Sequence, residues 1–261
     1  MELRDFFKEH PKAAIAFSGG VDSTYLLAEA LRCGADVKPY CAVTAFQPAF
    51  EKREAAELCA RLGAELTTVE LDVLADPVVT ANPPDRCYHC KKTIFSALMD
   101  RAAADGYTLM LDGTNASDDA LDRPGMRALR EFGVLSPLRL CGLSKAEIRR
   151  RSREMDLPTW DKPAYACLAS RFAYGEEITP EGLRRIENAE QFLIELGFAE
   201  ERVRVHGNLA RIEVPQEDIP KLASPDIREA VLTAFKRLGF QFVALDMQGY
   251  RRGSMNATLP K

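Results

Sequence analysis

The sequence predicts an α/β protein, a parallel sheet with helices on both faces, followed by a smaller C-terminal α+β domain. Three observations carry that prediction. In the first half, short apolar runs alternate with segments of helical period, and glycines close the helical segments, the rhythm of parallel strands joined by crossover helices. The first run, Ala13–Phe17, is apolar throughout rather than alternating, as in a strand buried on both faces. Beyond residue 178 the rhythm changes to helix, hairpin, helix and strand.

Ala13–Phe17 reads as a strand ended by Ser18-Gly19-Gly20. A helix over Asp22–Cys33 follows, with Leu26, Leu27, Ala30 and Leu31 on one face and Gly34 as its stop. Val37–Thr44 is a second strand, Glu51–Leu62 a second helix stopped by Gly63, and Leu66–Leu71 a third strand. Lys91–Ala104 is a third helix closed by Gly106, and Thr108–Leu111 a fourth strand stopped by Asp112-Gly113-Thr114-Asn115. A helix over Lys145–Met155 starts at Ser144. Leu157–Ala173 has no clean period, carries Pro158, Trp160 and Pro163, and reads as an ordered loop. A helix over Thr179–Leu196 has Thr179 as N-cap, Pro180 at its first position and Gly197 as its stop. Arg202–Val205 and Ala210–Val214 flank Gly207-Asn208 as a hairpin, and a helix over Ile227–Leu238 leads to a last strand, Phe240–Leu245. The expected division is residues 1–160, a cysteine-bearing linker over 161–178, and residues 179–261.

The chain has 261 residues, 46% hydrophobic and 28% charged, with a net charge of −4. That is enough apolar mass for a real core and argues against disorder, collagen or coiled coil. No apolar run approaches the roughly 18 residues of a membrane helix. The opening Met-Glu-Leu-Arg-Asp-Phe-Phe-Lys-Glu-His has no signal-peptide core, so a cytoplasmic protein is expected, with neither membrane nor nucleic acid as partner. Seven cysteines in such a chain point to metal, catalysis or packing rather than a disulfide framework.

Ser18-Gly19-Gly20-Val21-Asp22-Ser23 stands between the first strand and first helix. Glycines let the backbone approach a ligand closely. Free N–H groups at a helix start, with the helix dipole, attract an anion. Ser18 and Ser23 add hydroxyls. Neither a Gly-Lys pair nor Gly-x-Gly-x-x-Gly occurs, which excludes a Walker A loop and a dinucleotide fingerprint. Asp22 reads as an Mg²⁺ ligand beside a pyrophosphate or, more plainly, as a helix cap. Asp112 and Gly113 fall at the carboxyl end of the fourth strand, the edge where open α/β sheets bind ligands; the plain alternative is an Asx turn.

Cys33, Cys41, Cys59 and Cys141 sit in regular elements or among apolar neighbours and read as packing. Cys87 and Cys90 form a Cys-x-x-Cys pair flanked by Arg86, Lys91 and Lys92, cations that lower thiolate pKa. Cys167 lies in an aperiodic stretch close to Arg171. A redox pair, a structural zinc with a fourth ligand such as His89, and a three-cysteine [4Fe–4S] cluster with one open iron all suit these thiols.

The Ser18–Ser23 motif resembles the PP-loop of N-type ATP pyrophosphatases, with their Rossmann-like sheet, which cleave ATP between the α and β phosphates. More specific stretches run in order along nearly the whole chain: Leu111-Asp112-Gly113, Asp122-Arg123-Pro124-Gly125, Ser170-Arg171-Phe172-x-Tyr174-Gly175, Val203-Arg204-Val205-His206, Ala210-Arg211-Ile212-Glu213, and Leu245-Asp246-x-x-Gly249-Tyr250-Arg251-x-Gly253-x-Met255-Asn256-x-Thr258-Leu259. In these the chain resembles the LarE family of ATP-dependent sulfur transferases, which build the nickel-pincer nucleotide cofactor.

The resemblance implies ATP and Mg²⁺ at the PP-loop, adenylation of a carboxylate with release of pyrophosphate, and attack by sulfide to give a thiocarboxylate. The implied substrate is a pyridinium mononucleotide with two carboxylates. Some members give up the sulfur of a cysteine that aligns with Ala166, one place before Cys167. The set Cys87, Cys90 and Cys167 looks like the branch that uses a [4Fe–4S] cluster, with Cys167 itself as sacrificial residue the alternative. The family also suggests Arg202 and Arg204 as substrate-phosphate ligands, same-facing by strand alternation and geometrically suited to phosphate. Glu190 and Glu213 resemble acidic residues that bind a cation; the plain alternative for all four is surface charge. A homo-oligomer is expected, with the sulfide donor left open. The rival reading, tRNA thiolation by a related PP-loop enzyme, needs a broad basic surface, against which a pI of 5.6 speaks. A non-catalytic nucleotide-binding or sulfur-carrier module is a further rival, which pyrophosphate release from ATP separates.

Overall fold

The structure is a computed structural model that describes residues 1–118, 124–163 and 167–251. Asp122, Arg123, Ala166 and the Gly253–Leu259 part of the last motif lie outside the described residues. In chain order the elements are α1 (Leu3–Glu9), β1 (Lys12–Ala16), α2 (Val21–Arg32), β2 (Asp36–Val43), α3 (Ala49–Arg61), β3 (Thr67–Glu70), α4 (Pro77–Thr80), α5 (Arg86–Ala104), β4 (Met110–Leu111), α6 (Pro124–Glu131), α7 (Pro137–Leu140) and α8 (Lys145–Glu154). Then follow α9 (Pro180–Glu195), β5 (Arg202–His206), β6 (Leu209–Glu213), α10 (Ile219–Leu222), α11 (Pro225–Arg237) and β7 (Phe242–Leu245). They form two compact units, one of Met1–Val73 with Asp85–Ala164, the other of Leu74–Pro84 with Tyr165–Lys261.

The first unit holds a parallel sheet in the order β3-β2-β1-β4. Its pleat sorts the central strand between two cores. Ala13, Ile15 and Phe17 pack with Phe6 of α1, Leu26 and Leu27 of α2, and Leu58 of α3. Ala14 packs on the other face with Phe95 and Leu98 of α5 and Leu129 of α6. Both faces are covered, as the apolar run of β1 predicts. Strand β1 is followed outward by β2 and β3 on one side, while β4 lies on its other side, so the order of winding reverses between β1 and β4 although all four strands run parallel. In open α/β sheets the crevice beyond the carboxyl ends of such strands receives ligands.

In the second unit β5 and β6 form the antiparallel hairpin around Gly207-Asn208, and β7 lies parallel to β6. Thr179 caps α9 by accepting from the Gly182 N–H at 3.0 Å, with Pro180 at the helix start. The Leu74–Pro84 segment belongs to this unit through backbone bonds and through Asn82, whose amide donates to the Ala173 carbonyl at 2.7 Å.

Three differences from expectation have physical causes. Helix α1 was not anticipated, although Leu3, Phe6 and Phe7 have the i, i+3, i+4 spacing of a buried stripe. Helix α5 begins at Arg86 rather than Lys91: Arg86 is buried and Tyr88 donates to Glu131 of α6 at 2.8 Å with Arg127 over its ring, contacts that outweigh the middling helix propensity of Cys, Tyr and His; Cys87 and Cys90 therefore lie on its first turns. The stretch expected to be a loop contains a short 3₁₀ turn over Leu168–Arg171. No helix among the described residues is long and apolar enough to cross a membrane.

Candidate functional site

The loop after β1 is shaped by its own side chains. Gly19 takes the left-handed conformation, φ 69°, which glycine adopts without steric cost. Its Cα also backs closely onto α3, since a Cβ there would stand 3.3 Å from Ala55. The Ser23 hydroxyl accepts from the Ser18 N–H at 3.3 Å and donates to the Gly20 carbonyl at 3.2 Å, tying the loop across its mouth. Gly20 is the N-cap of α2 and no side chain caps the helix, so backbone N–H groups at its start remain available to a ligand.

Asp112 and Gly113, after β4, meet the loop from the neighbouring strand. A Cβ on Gly113 would stand 2.9 Å from the Ser23 backbone nitrogen. Only glycine allows that approach, so Gly113 has a packing reason that its turn context alone did not reveal. The Asp112 carboxylate accepts from the Thr114 N–H at 3.2 Å, as in an Asx turn, and from the Ser136 hydroxyl at 2.6 Å. Between the two loops lies a cleft of about 330 Å³. Ser18, Gly20, Asp22 and Ser23 line one end, and Lys91, Ile94, Phe95 and Leu98 of α5 line a wall. Those α5 positions recur at i, i+3, i+4 and i+7, one helical face. The cleft therefore joins a helix start with free N–H groups to a largely apolar wall, which fits a molecule with an anionic end and a flat apolar body.

Asp22 Oδ2 accepts from the Lys145 ammonium at 2.6 Å, while Oδ1 is buried and has no hydrogen-bond partner among the described residues. Burial pushes the Asp22 carboxyl up, Lys145 opposes it, and the charge of Asp118 adds to the rise. An orphaned carboxylate oxygen beside a second acidic group, next to a helix start that no side chain caps, suits Mg²⁺, which uses one or two carboxylates plus phosphate oxygens. Lys145 was not anticipated. It opens α8 directly after the Ser144 cap, where the helix dipole disfavours a cation; that misplaced charge was the available signal.

Cys41 and Cys59 are buried thiols that burial pushes up to about 11 and about 12, as inert packing groups. Cys87 and Cys167 are exposed and Cys90 is half-buried. Cys87 and Cys90 stand three residues apart on α5, in the first unit, and Cys167 belongs to the second. Thiolates suit an iron–sulfur cluster chemically. Among the described residues no group of three or more His, Cys, Asp or Glu side chains is gathered for a metal ion.

In the second unit the four expected charged residues are buried. Glu190 accepts two hydrogen bonds from Arg171, at 2.8 and 2.9 Å, and one from the Val203 N–H at 2.9 Å. Arg204 donates to Glu213 at 2.8 and 3.1 Å and to the Ser170 carbonyl at 2.8 Å. Arg202 donates to the Glu201 carbonyl, with its guanidinium 5.0 Å from the centre of the Tyr250 ring. Glu201 and Arg171 complete this cluster. Glu201 is 1% exposed, and its Oε2 has no hydrogen-bond partner among the described residues. Burial pushes its carboxyl up to about 7, the nearby Glu190 charge adding to the effect and Arg202 and Arg171 opposing it.

No protein-family model matches the chain. Three curated proteins match along nearly their full lengths. An uncharacterised protein of Synechocystis sp. is 42% identical, over 99% of this chain and 97% of its own. The pyridinium-3,5-bisthiocarboxylic acid mononucleotide synthase of Lactiplantibacillus plantarum is 37% identical, over 97% of this chain and 92% of its own. An uncharacterised protein of Methanocaldococcus jannaschii is 32% identical, over 95% and 94%.

Proposed function

The chain belongs to the LarE family, that of the pyridinium-3,5-bisthiocarboxylic acid mononucleotide synthase, and we propose that it is an ATP-dependent sulfur transferase of nickel-pincer cofactor biosynthesis. It adenylates the carboxylates of a pyridinium biscarboxylate mononucleotide and converts them to thiocarboxylates. The observation that carries this reading is the cleft where Ser18–Ser23 and Asp112–Gly113 meet at the carboxyl ends of β1 and β4.

A carboxylate is a poor electrophile because resonance and charge protect it. Attack of its oxygen on the α-phosphorus of ATP breaks the bond to the β-phosphate bridge and makes AMP the future leaving group. Backbone N–H groups at the start of α2 and the hydroxyls of Ser18 and Ser23 receive the departing pyrophosphate, a preorganised electrostatic contribution. Asp22 would hold Mg²⁺ through Oδ1, the oxygen that has no partner among the described residues, and the ion would supply charge neutralisation at the phosphates. Lys145, paired with Asp22 at 2.6 Å, keeps a cation beside that carboxylate. Sulfide sulfur then attacks the acyl carbon and AMP leaves. Arg202 and Arg204 bind the substrate phosphate, Arg204 exchanging part of its present pairing with Glu213 for it.

For the sulfur source we propose that Cys87, Cys90 and Cys167 supply thiolates to a [4Fe–4S] cluster. The two exposed thiols and the half-buried Cys90 support it by their chemistry. In a second reading Cys167 gives up its own sulfur, which its exposure allows. One experiment tests both levels: anaerobic turnover with ATP and the biscarboxylate mononucleotide, followed by nucleotide analysis and intact-protein mass spectrometry. AMP and pyrophosphate are expected, and ADP would overturn the adenylation. A loss of about 34 Da at Cys167, the mass of hydrogen sulfide, would assign that residue as the donor; an unchanged mass with a bound brown chromophore supports the cluster.

A further inference from the structure

We propose that Lys162 is a positioning residue of the phosphate loop, whose ammonium group holds the Gly19–Gly20 peptide so that the Gly20 N–H turns toward the cleft. The inference rests on the ATP reading of that cleft.

The loop residues that line the cleft are Ser18, Gly20, Asp22 and Ser23. Gly19 instead faces α3. On that rear side the Lys162 ammonium donates to the Gly19 carbonyl at 3.1 Å and to Glu54 Oε2 of α3 at 2.6 Å. The Lys162 side chain is 14% exposed. Its backbone is anchored as well: Arg149 of α8 donates to the carbonyls of Trp160 and Lys162 at 2.7 and 2.8 Å, and the Lys162 N–H donates to the Thr159 carbonyl at 3.1 Å. The ammonium is thus delivered to the loop by a braced segment rather than by a loose surface lysine.

The consequence follows from peptide geometry. In a planar trans peptide the C=O and the next N–H point in opposite directions. Fixing the Gly19 oxygen on the α3 side aims the Gly20 N–H to the other side, where its one partner among the described residues is the Ser18 hydroxyl at a long 3.4 Å. A Gly-Gly peptide is also the easiest to flip, because neither residue has a Cβ to restrict it. Flipped, it would present a carbonyl oxygen to the phosphate and repel it. The charged donor further polarises the peptide and strengthens its N–H as a donor. Glu54 in turn holds the ammonium in place, so the device comprises Glu54, Lys162 and the Gly19 carbonyl.

The test uses the full chain with Lys162→Met, which keeps the stem and removes donor and charge, beside Lys162→Arg and Glu54→Gln. Pyrophosphate release is measured against ATP concentration, and magnesium pyrophosphate binding by calorimetry. Lys162→Met should raise the KM for ATP and the Kd for pyrophosphate by about tenfold to a hundredfold, the value of one charge-assisted hydrogen bond. Lys162→Arg should restore most of the affinity, and Glu54→Gln should move both constants in the same direction by a smaller factor. A merely structural role would instead lower kcat through the active fraction and leave KM and Kd unchanged, which would overturn the proposal. Absence of ATP cleavage by the wild type would count against the functional reading alone, because pyrophosphate binding still reports on the loop. If Lys162→Met does not fold, Glu54→Gln decides: unchanged constants in that variant refute the device.

Discussion

Replacing Glu201 by Gln isolates the consequence of burying a carboxyl among arginines and acids. The side chain is 1% exposed with an unpartnered oxygen, and its carboxyl is raised from the ordinary 4.5 to about 7, chiefly by burial and then by Glu190. At about 1.4 kcal/mol per tenfold change in proton affinity, that displacement amounts to about 3 kcal/mol. The native state holds the proton more tightly than the unfolded chain. Stability therefore falls as pH rises from the unfolded value through the folded one, and above it the full cost is borne. Between about pH 5 and about pH 8 the wild type should lose about 2 to 3 kcal/mol through this group, and Glu201→Gln should lack that loss. An unpaired amide carries its own penalty of about 1–3 kcal/mol, so the pH slope, not the absolute stability, is the readout. Amide exchange of Val203 and Val205 at the two pH values, or urea unfolding followed by far-UV circular dichroism, measures it. Parallel pH dependence in wild type and variant would refute the assignment of the raised carboxyl to Glu201.

Gly113→Ala should drive a methyl group into the start of α2, costing about 1–3 kcal/mol by overpacking and raising the KM for ATP; steady-state pyrophosphate release with thermal melting checks both effects. Replacing Arg202 and Arg204 together by Ala should raise the KM for the mononucleotide while leaving ATP binding nearly unchanged. Because Glu213 then loses a buried partner, the same variant should lose about 3–5 kcal/mol of stability. Calorimetric titration with ATP alongside substrate kinetics separates the two, and an unchanged substrate KM would remove the arginines from the substrate site.

Much of the fold, and the turn that shapes the candidate site, were legible in the sequence. The apolar continuity of Ala13–Phe17 is a local property, and it required a strand covered on both sides. Thr179-Pro180 stated where α9 begins, because the N-cap hydroxyl and the fixed proline φ act within one turn. Ser18–Ser23 marked a tight turn between β1 and α2 through glycines and hydroxyls adjacent in the chain, a turn the structure shows with Gly19 left-handed and Ser23 tied to Ser18 and Gly20. Cys59 was readable as packing from its apolar neighbours. The start of α5 was not, since Cys87, Tyr88 and His89 carry no strong local preference and the helix is extended over them by tertiary packing.

What the sequence by itself determined, then, were features whose physics acts over a few residues: period, caps, glycine conformations and the tight turn after β1. Tertiary structure alone decided which distant charges meet. Lys145 reaches Asp22 across 123 residues and Lys162 reaches Gly19 across 143, and Arg204 and Glu213 close onto each other across a hairpin. Burial converts Glu201 from an ordinary carboxyl into one that titrates near neutrality. Ion pairing and desolvation depend on spatial separation and on excluded water, and neither leaves a periodic trace along the chain.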